Sequence, residues 1–179
     1  MSPATDFQPV LESPRLILRP HAAEDAGRLQ LLAGDILVAQ ETMNIPHPYE
    51  DGMAGDWISG TGDKWRRRTG VEFAIVEKLS GELIGGMSFV ELKGDEAEIG
   101  YWIGVPYWGQ GYCTEAGLAM IAFGKDALCL CKITARHLST NPGSGRVMQK
   151  LGMSWNESRC GPDRHGQNVG FEFYELNLN

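Results

Sequence analysis

The stretch that most constrains this chain is residues 98–114, which read Glu-Ile-Gly-Tyr-Trp-Ile-Gly-Val-Pro-Tyr-Trp-Gly-Gln-Gly-Tyr-Cys-Thr. A β-branched and aromatic run stops at Pro106, a short loop carries Gly109 and Gly111, and a helical pattern starts at Tyr112. Strand, tight Gly-x-Gly loop and helix N-terminus, in that order, present several unpaired backbone N–H groups to an anion. The helix dipole adds about half a positive charge at the same end. The pattern predicts that Gly109, Gln110, Gly111, Tyr112, Cys113 and Thr114 hold the pyrophosphate of a cofactor.

Around that stretch the chain reads as one domain over residues 1–179, with a core from about 14 to 178. A net charge of −7 argues against a general nucleic-acid binder, which needs a basic face. No run approaches the ~18 apolar residues of a membrane span, and residues 1–9 lack the basic and apolar regions of a signal peptide. Cys113, Cys129, Cys131 and Cys160 match neither a metal knuckle nor a disulfide framework. Free thiols in a reducing cytoplasm, and no metal, are the expectation.

In order, residues 1–14 suggest a loose start and 15–19 a first strand, and 23–33 carry helical spacing closed by Gly34. The pattern weakens from 35 to 49, where Pro46 and Pro48 flank His47. Residues 54–68 suggest a second helix that Gly60 and Gly62 interrupt. Strands at 72–77, 83–90 and 97–105, joined by short turns, imply an antiparallel meander. A helix over 112–128 then separates the third of these from a strand at 132–138, which requires a parallel crossover. Asn141-Pro142 opens a short helix that Gly152 ends, and strands at 153–158 and 171–178 close the chain as a hairpin. The fold class is α+β with a mixed sheet.

Two phosphate loops are excluded. No Gly-x4-Gly-Lys-Ser/Thr string exists, and Thr114 stands where a dinucleotide fingerprint needs its third glycine. The string Trp108-Gly109-Gln110-Gly111-Tyr112-Cys113-Thr114-Glu115-Ala116 instead resembles the acetyl-CoA loop of the GNAT N-acetyltransferases, in their RimJ/RimL-like branch. Pro14 to Arg19 resembles that branch's opening strand, Pro48-Tyr49 with Trp57-Ile58 its acceptor-side helices, and Asn141 to Met153 its second cofactor motif. The resemblance covers residues 14–176 and implies a GNAT-like acyl-CoA N-acyltransferase fold with acetyl-CoA as acetyl donor. It departs from the family pattern at Cys113, where Gly or Ala is usual, and at Met148, where many members carry a tyrosine thought to protonate the leaving thiolate. That acid does not transfer to this chain.

The resemblance further implies that Ile103 and Val105 pair main-chain groups with the pantetheine arm, that Asn141 contacts it, and that Ser144 lies one turn on as a donor near the departing sulfur. Deprotonating an α-amine of pKa 7.7–8.0 at pH 7 costs about 1 kcal/mol, whereas a lysine near 10.4 costs over about 4. A low-pKa amine thus needs only a weak base, and Glu98 is the candidate. The implied acceptor is a primary amine, on a protein N-terminus or a small molecule, with neither nucleic acid nor membrane as partner and a monomer or homodimer as the assembly. A catalytically weak module that only binds or senses acetyl-CoA is the alternative, kept open by Met148. Acceptor choice is expected to lie in residues 23–68 and a loop at 159–169. His47 and His137 read as structural, and Lys64, Arg66, Arg67 and Arg68 as a solvated helix end. Of Tyr101 and Trp102, one faces the core and the other the acceptor cleft.

Overall fold

The computed structural model describes residues 7–178. One sheet carries eight strands: β1 (Leu11–Glu12), β2 (Leu16–Arg19), β3 (Val71–Glu77), β4 (Leu83–Lys93), β5 (Glu96–Ile103), β6 (Lys132–Leu138), β7 (Ser154–Pro162) and β8 (Asn168–Asn177). Their spatial order is β1-β2-β3-β4-β5-β6-β8-β7. Every pairing is antiparallel except β5 with β6. Five helices cover the two faces: α1 (Ala26–Ala33), α2 (Ile36–Glu41), α3 (Met53–Arg67), α4 (Tyr112–Asp126) and α5 (Pro142–Lys150). The meander, the single parallel crossover through α4 and the closing hairpin are as expected.

α4 lays Ala116, Met120 and Phe123 on the face of the sheet that Phe73, Ile75, Met87 and Phe89 line. Burying each of the Phe, Ile and Met side chains among these contributes about 1.5–3 kcal/mol. Phe123 meets Phe73 edge to face, with ring centroids 5.8 Å apart. The opposite face belongs to α1 and α3, whose Leu29, Ala33, Ala54 and Ile58 form a smaller cluster with Trp102.

Several elements depart from their sequence-predicted limits. Leu11–Glu12 adds a short edge strand within the expected loose start, of which residues 1–6 lie outside the described residues. Asp35 accepts a hydrogen bond from the Leu37 amide and so starts α2, where apolar periodicity alone was too weak to show a helix. α3 runs unbroken through Gly60 and Gly62, because its buried anchors outweigh the roughly 1 kcal/mol that each glycine costs. β4 extends to Lys93 across a bulge between Phe89 and Glu91. β7 and β8 pair over Ser154–Pro162 and Asn168–Asn177, so most of the expected loop at 159–169 is strand and only a tight turn remains. Alternating exposed side chains hide such a hairpin, since neither of its outer segments has a continuous apolar run.

The feature that positions the site is a split in the sheet. β5 and β6 pair only over Glu96–Glu98 and Lys132–Thr134. Beyond these residues both strands continue without pairing to each other, β5 to Ile103 and β6 to Leu138. A wedge opens between them, and it joins the α4 face of the sheet to the α1/α3 face.

Candidate acetyl-CoA and acceptor site

At the α4 side of the wedge, β5 ends at Ile103, two residues short of the expected limit, and Val105–Tyr107 forms a 3₁₀ turn. Gly109 and Gly111 both lie in the left-handed region, at φ +73 and +80. Gly111 caps α4 without a side chain, so the first-turn amides of Tyr112, Cys113 and Thr114 are offered outward. Two side-chain bonds fix the loop from within: the Trp108 indole N–H donates to the Ile103 carbonyl at 2.6 Å, and Gln110 Nε2 donates to the Pro106 carbonyl at 3.0 Å.

A third support comes from far away in the chain. Arg15, at the start of β2, donates to the Gln110 carbonyl at 3.1 Å and lies over the Tyr112 ring, 4.4 Å from its centroid. Glu115, in the first turn of α4, accepts from Ser13 Oγ and the Arg15 amide, each at 2.7 Å, and pairs with Arg15 Nε at 2.6 Å. The ion pair is neutral overall, so what Arg15 supplies is a brace that fixes the Gln110 carbonyl and the first turn of α4. Sequence reading took Arg15 only as part of an opening strand, because nothing local signals a partner one hundred residues away.

Along the wedge, the Gly104 amide donates to the Ile84 carbonyl, so by strand alternation the main-chain groups of Tyr101 and Ile103 face away from β4 and into the opening. Val105 is past the strand, with its carbonyl taken by the Trp108 amide. The Ile103 carbonyl is already taken by the Trp108 indole, so this edge offers the main-chain groups of Tyr101 and the Ile103 N–H, and Val105 lies beyond it. The side chains of Tyr101 and Trp102 separate as alternation requires. Tyr101 packs against the α4 core with its hydroxyl 2.9 Å from Ser144 Oγ and 3.1 Å from the Ser144 carbonyl. Trp102 lies over Gly86 on the other face, where a Cβ on that glycine would come within 2.7 Å of the indole nitrogen.

Asn141 is the N-cap of α5: its Oδ1 accepts from the Ser144 amide at 3.0 Å, while its Nδ2 donates to the Glu41 carbonyl at 3.1 Å. Its amide is thus engaged at both ends, tying α5 to α2. Met148 is 1% exposed and one turn beyond Ser144, so the buried group there is a thioether with no proton to give.

On the α1/α3 side the wedge opens into a cleft of about 900 Å³, walled by Tyr49, Trp57, Trp102, Ile45, His21 and Glu98. Glu98 is ion-paired with Arg136 Nε at 3.1 Å. Lys64 is not a solvated helix end: its Nζ reaches the buried carboxylate of Glu72 at 2.6 Å, on the cleft wall. Burial pushes the Glu72 carboxyl up, and Lys64 opposes that shift. His21 stands edge-on to Trp57, with centroids 4.8 Å apart, and burial pushes its imidazole down to about 4. His137 is buried against Tyr174 and its Nδ1 lies 2.8 Å from the Leu138 carbonyl. The hairpin turn reaches the cleft rim through Arg164, which donates to the Ala39 carbonyl at 2.8 Å. Glu72, His21 and Arg164 carry no sequence signal of their place, since each is brought there by sheet and hairpin pairing.

Among the described residues no helix is long and apolar enough to cross a membrane, and no three His, Cys, Asp or Glu side chains stand together as metal ligands. Residues 15–154 match the model of the acetyltransferase (GNAT) domain family. The chain is 33% identical over 144 residues to the uncharacterized N-acetyltransferase p20 of Bacillus licheniformis, covering 79% of this chain and 80% of that protein. Among solved structures, RimL, a ribosomal L7/L12 alpha-N-protein acetyltransferase in complex with coenzyme A, superposes with a TM-score of 0.84 at 16% identity, over 95% of this chain and 98% of that one. The microcin C7 self-immunity acetyltransferase MccE, in complex with acetyl-CoA and AMP, also scores 0.84 at 18% identity, over 93% and 94% of the two chains. With a split sheet, a Gly-x-Gly helix start beside the split and a family match over most of its length, the chain belongs to the GNAT acetyltransferases and is an acetyl-CoA-dependent N-acetyltransferase.

Proposed function

We propose that this protein transfers the acetyl group of acetyl-CoA to a low-pKa primary amine, an α-amine on a peptide N-terminus or a small molecule. The observation that carries this reading is the wedge, which connects the uncapped end of α4 on one face with the aromatic-walled cleft on the other. The residues fit the donor. Gln110 to Thr114 offer amides to its pyrophosphate, Arg15 braces the Gln110 carbonyl, and the open edge at Tyr101 and Ile103 pairs the pantetheine arm as an added strand. Bound there, acetyl-CoA supplies an activated acyl carbon at the narrow part of the wedge. An N–H on the open β5 edge polarises its carbonyl, and Ser144 donates toward its sulfur.

The preference for a low-pKa amine follows from the base. Glu98 faces the cleft already paired with Arg136, so it is suited to relay a proton from an amine that is partly neutral rather than to strip one from lysine. The experiment is thiol release from acetyl-CoA across peptides with free N-termini, small α-amines and Nα-acetyl-lysine, whose one free amine is the side chain. Release with the first two and weak release with the third is expected. Binding of CoA without release on any amine points to the sensor reading. Gly111→Asp places a carboxylate beside the anion and is expected to weaken CoA at least tenfold by calorimetry, with fold checked by circular dichroism. Unchanged affinity in a folded variant removes this loop as the pyrophosphate site.

A further inference from the structure

The wedge holds a pair of hydroxyls, on Tyr101 and Ser144, within hydrogen-bonding distance of each other. Tyr101 Oη lies 2.9 Å from Ser144 Oγ and 3.1 Å from the Ser144 carbonyl oxygen. Each hydroxyl has one proton, and a carbonyl can only accept. Two arrangements satisfy that count. In the first, Tyr101 donates to the Ser144 carbonyl and Ser144 donates back to Tyr101, which leaves no proton for any third atom. In the second, Tyr101 donates to Ser144 Oγ and the Ser144 proton is free to point elsewhere. A neutral resting wedge accommodates the first, while a charged acceptor arriving beside Ser144 selects the second.

We propose that Tyr101 is a positioning residue for the leaving group: by donating to Ser144 Oγ it turns the Ser144 O–H toward the sulfur of the acetyl donor. The proposal rests on the reading of the wedge as the donor site. In the transfer the amine lone pair forms the C–N bond, the C–S bond breaks, and its electron pair stays on sulfur. The surplus proton on nitrogen leaves through Glu98 to water, and sulfur recovers its own proton from water.

The two hydroxyls stabilise the thiolate without protonating it. Burial holds the Tyr101 phenol above its ordinary value near 10, whereas a thiol sits at about 8.5, so proton transfer from Tyr101 to sulfur runs uphill. The titratable groups that face Tyr101 are the Cys113 thiol, which burial also pushes up, and the Tyr174 phenol. Met148, one turn past Ser144, offers no alternative donor. A hydrogen bond to a charged acceptor is worth more than one between neutral groups, and the relay makes the Tyr101 bond count only when charge develops on sulfur.

The test uses the intact protein with CoA itself as probe. Thiolate absorbance across a pH titration gives the thiol pKa of bound CoA. In wild type it is expected to fall below the free value, so that CoA affinity rises with pH between the two. Tyr101→Phe keeps the ring and its packing, and should move the bound thiol back toward its free value by about one unit, a tenfold change in that equilibrium. In turnover Tyr101→Phe should lower kcat about tenfold with little change in KM for acetyl-CoA. In a Ser144→Ala background the same substitution should have almost no further effect. An unmoved bound-thiol pKa overturns the proposal, as do losses from the two substitutions that multiply independently. A purely structural Tyr101 would instead lower the melting temperature and raise KM. If wild type binds CoA with the shifted thiol but acetylates no amine, the donor relay stands and the reading as an active enzyme fails. If CoA does not bind, both fall.

Discussion

His21 shows how a single side chain is set by what surrounds it. An exposed imidazole titrates near 6.5, but at the cleft wall, against Trp57, burial holds it down to about 4. The charged form is disfavoured in the fold, so between about 4 and 6.5 the unfolded chain binds more protons than the native one. Stability present above pH 6.5 is therefore lost as pH falls toward 4. An NMR titration should find a midpoint near 4, and His21→Asn should flatten the slope of stability against pH across that window. Tyr101 is the counterpart in the wedge: its side chain alternates with Trp102 in the sequence, yet only the structure assigns it the Ser144 side. Glu98 was visible as the carboxylate leading into the loop, but its ion pair with Arg136 was not, because Arg136 reaches back from β6 two residues past the last parallel pair, Glu98 with Thr134.

At the scale of elements, α5 sets Ser144 at a fixed height above the sheet. Gly145 makes that possible. A Cβ there would come within 2.8 Å of His137 Nε2 and 3.3 Å of the Tyr174 hydroxyl, and both of these side chains are buried. Gly145→Ala is expected to cost about 1–3 kcal/mol in denaturant unfolding and to lower turnover, because the neighbouring Ser144 moves with the helix. Gly60→Ala is the control. Its Cβ would meet open space on α3, so the same change there should stabilise by about 0.5–1 kcal/mol. Sequence reading treated Gly60 as an interruption, which the tertiary anchors of α3 override. The helix boundaries at Asn141 and Gly152 were legible because a capping side chain and a φ of +82 are local properties. The length of the terminal hairpin was not, since cross-strand partners such as Arg159 and Phe171 carry no local mark of their pairing.

Across the whole molecule, the loop is held by residues at opposite ends of the chain. Ser13 and Arg15 converge on Glu115, and Arg15 also reaches the Gln110 carbonyl. Glu115→Ala removes three of these bonds together, and is expected to lower both the melting temperature and the affinity for CoA. Restored melting without restored affinity in a stabilised background such as Gly60→Ala would assign the clamp to binding as well as to stability. The cleft is likewise assembled from α1, α3, the segment 41–49 and the sheet, and the tip of the terminal hairpin braces α2 through the bond from Arg164 to the Ala39 carbonyl.

The sequence by itself determined the strand, Gly-x-Gly loop and helix start around Gly111, the caps of α5, the meander and the single crossover. Each of these depends on residue type and short-range spacing, which a chain displays without folding. Only the tertiary structure decided where the sheet splits, which faces Tyr101 and Trp102 take, and which partners reach Glu98, Glu72 and Glu115. Those outcomes depend on register and on the packing of elements far apart in the chain, where a shift of one residue moves every side chain to the other face.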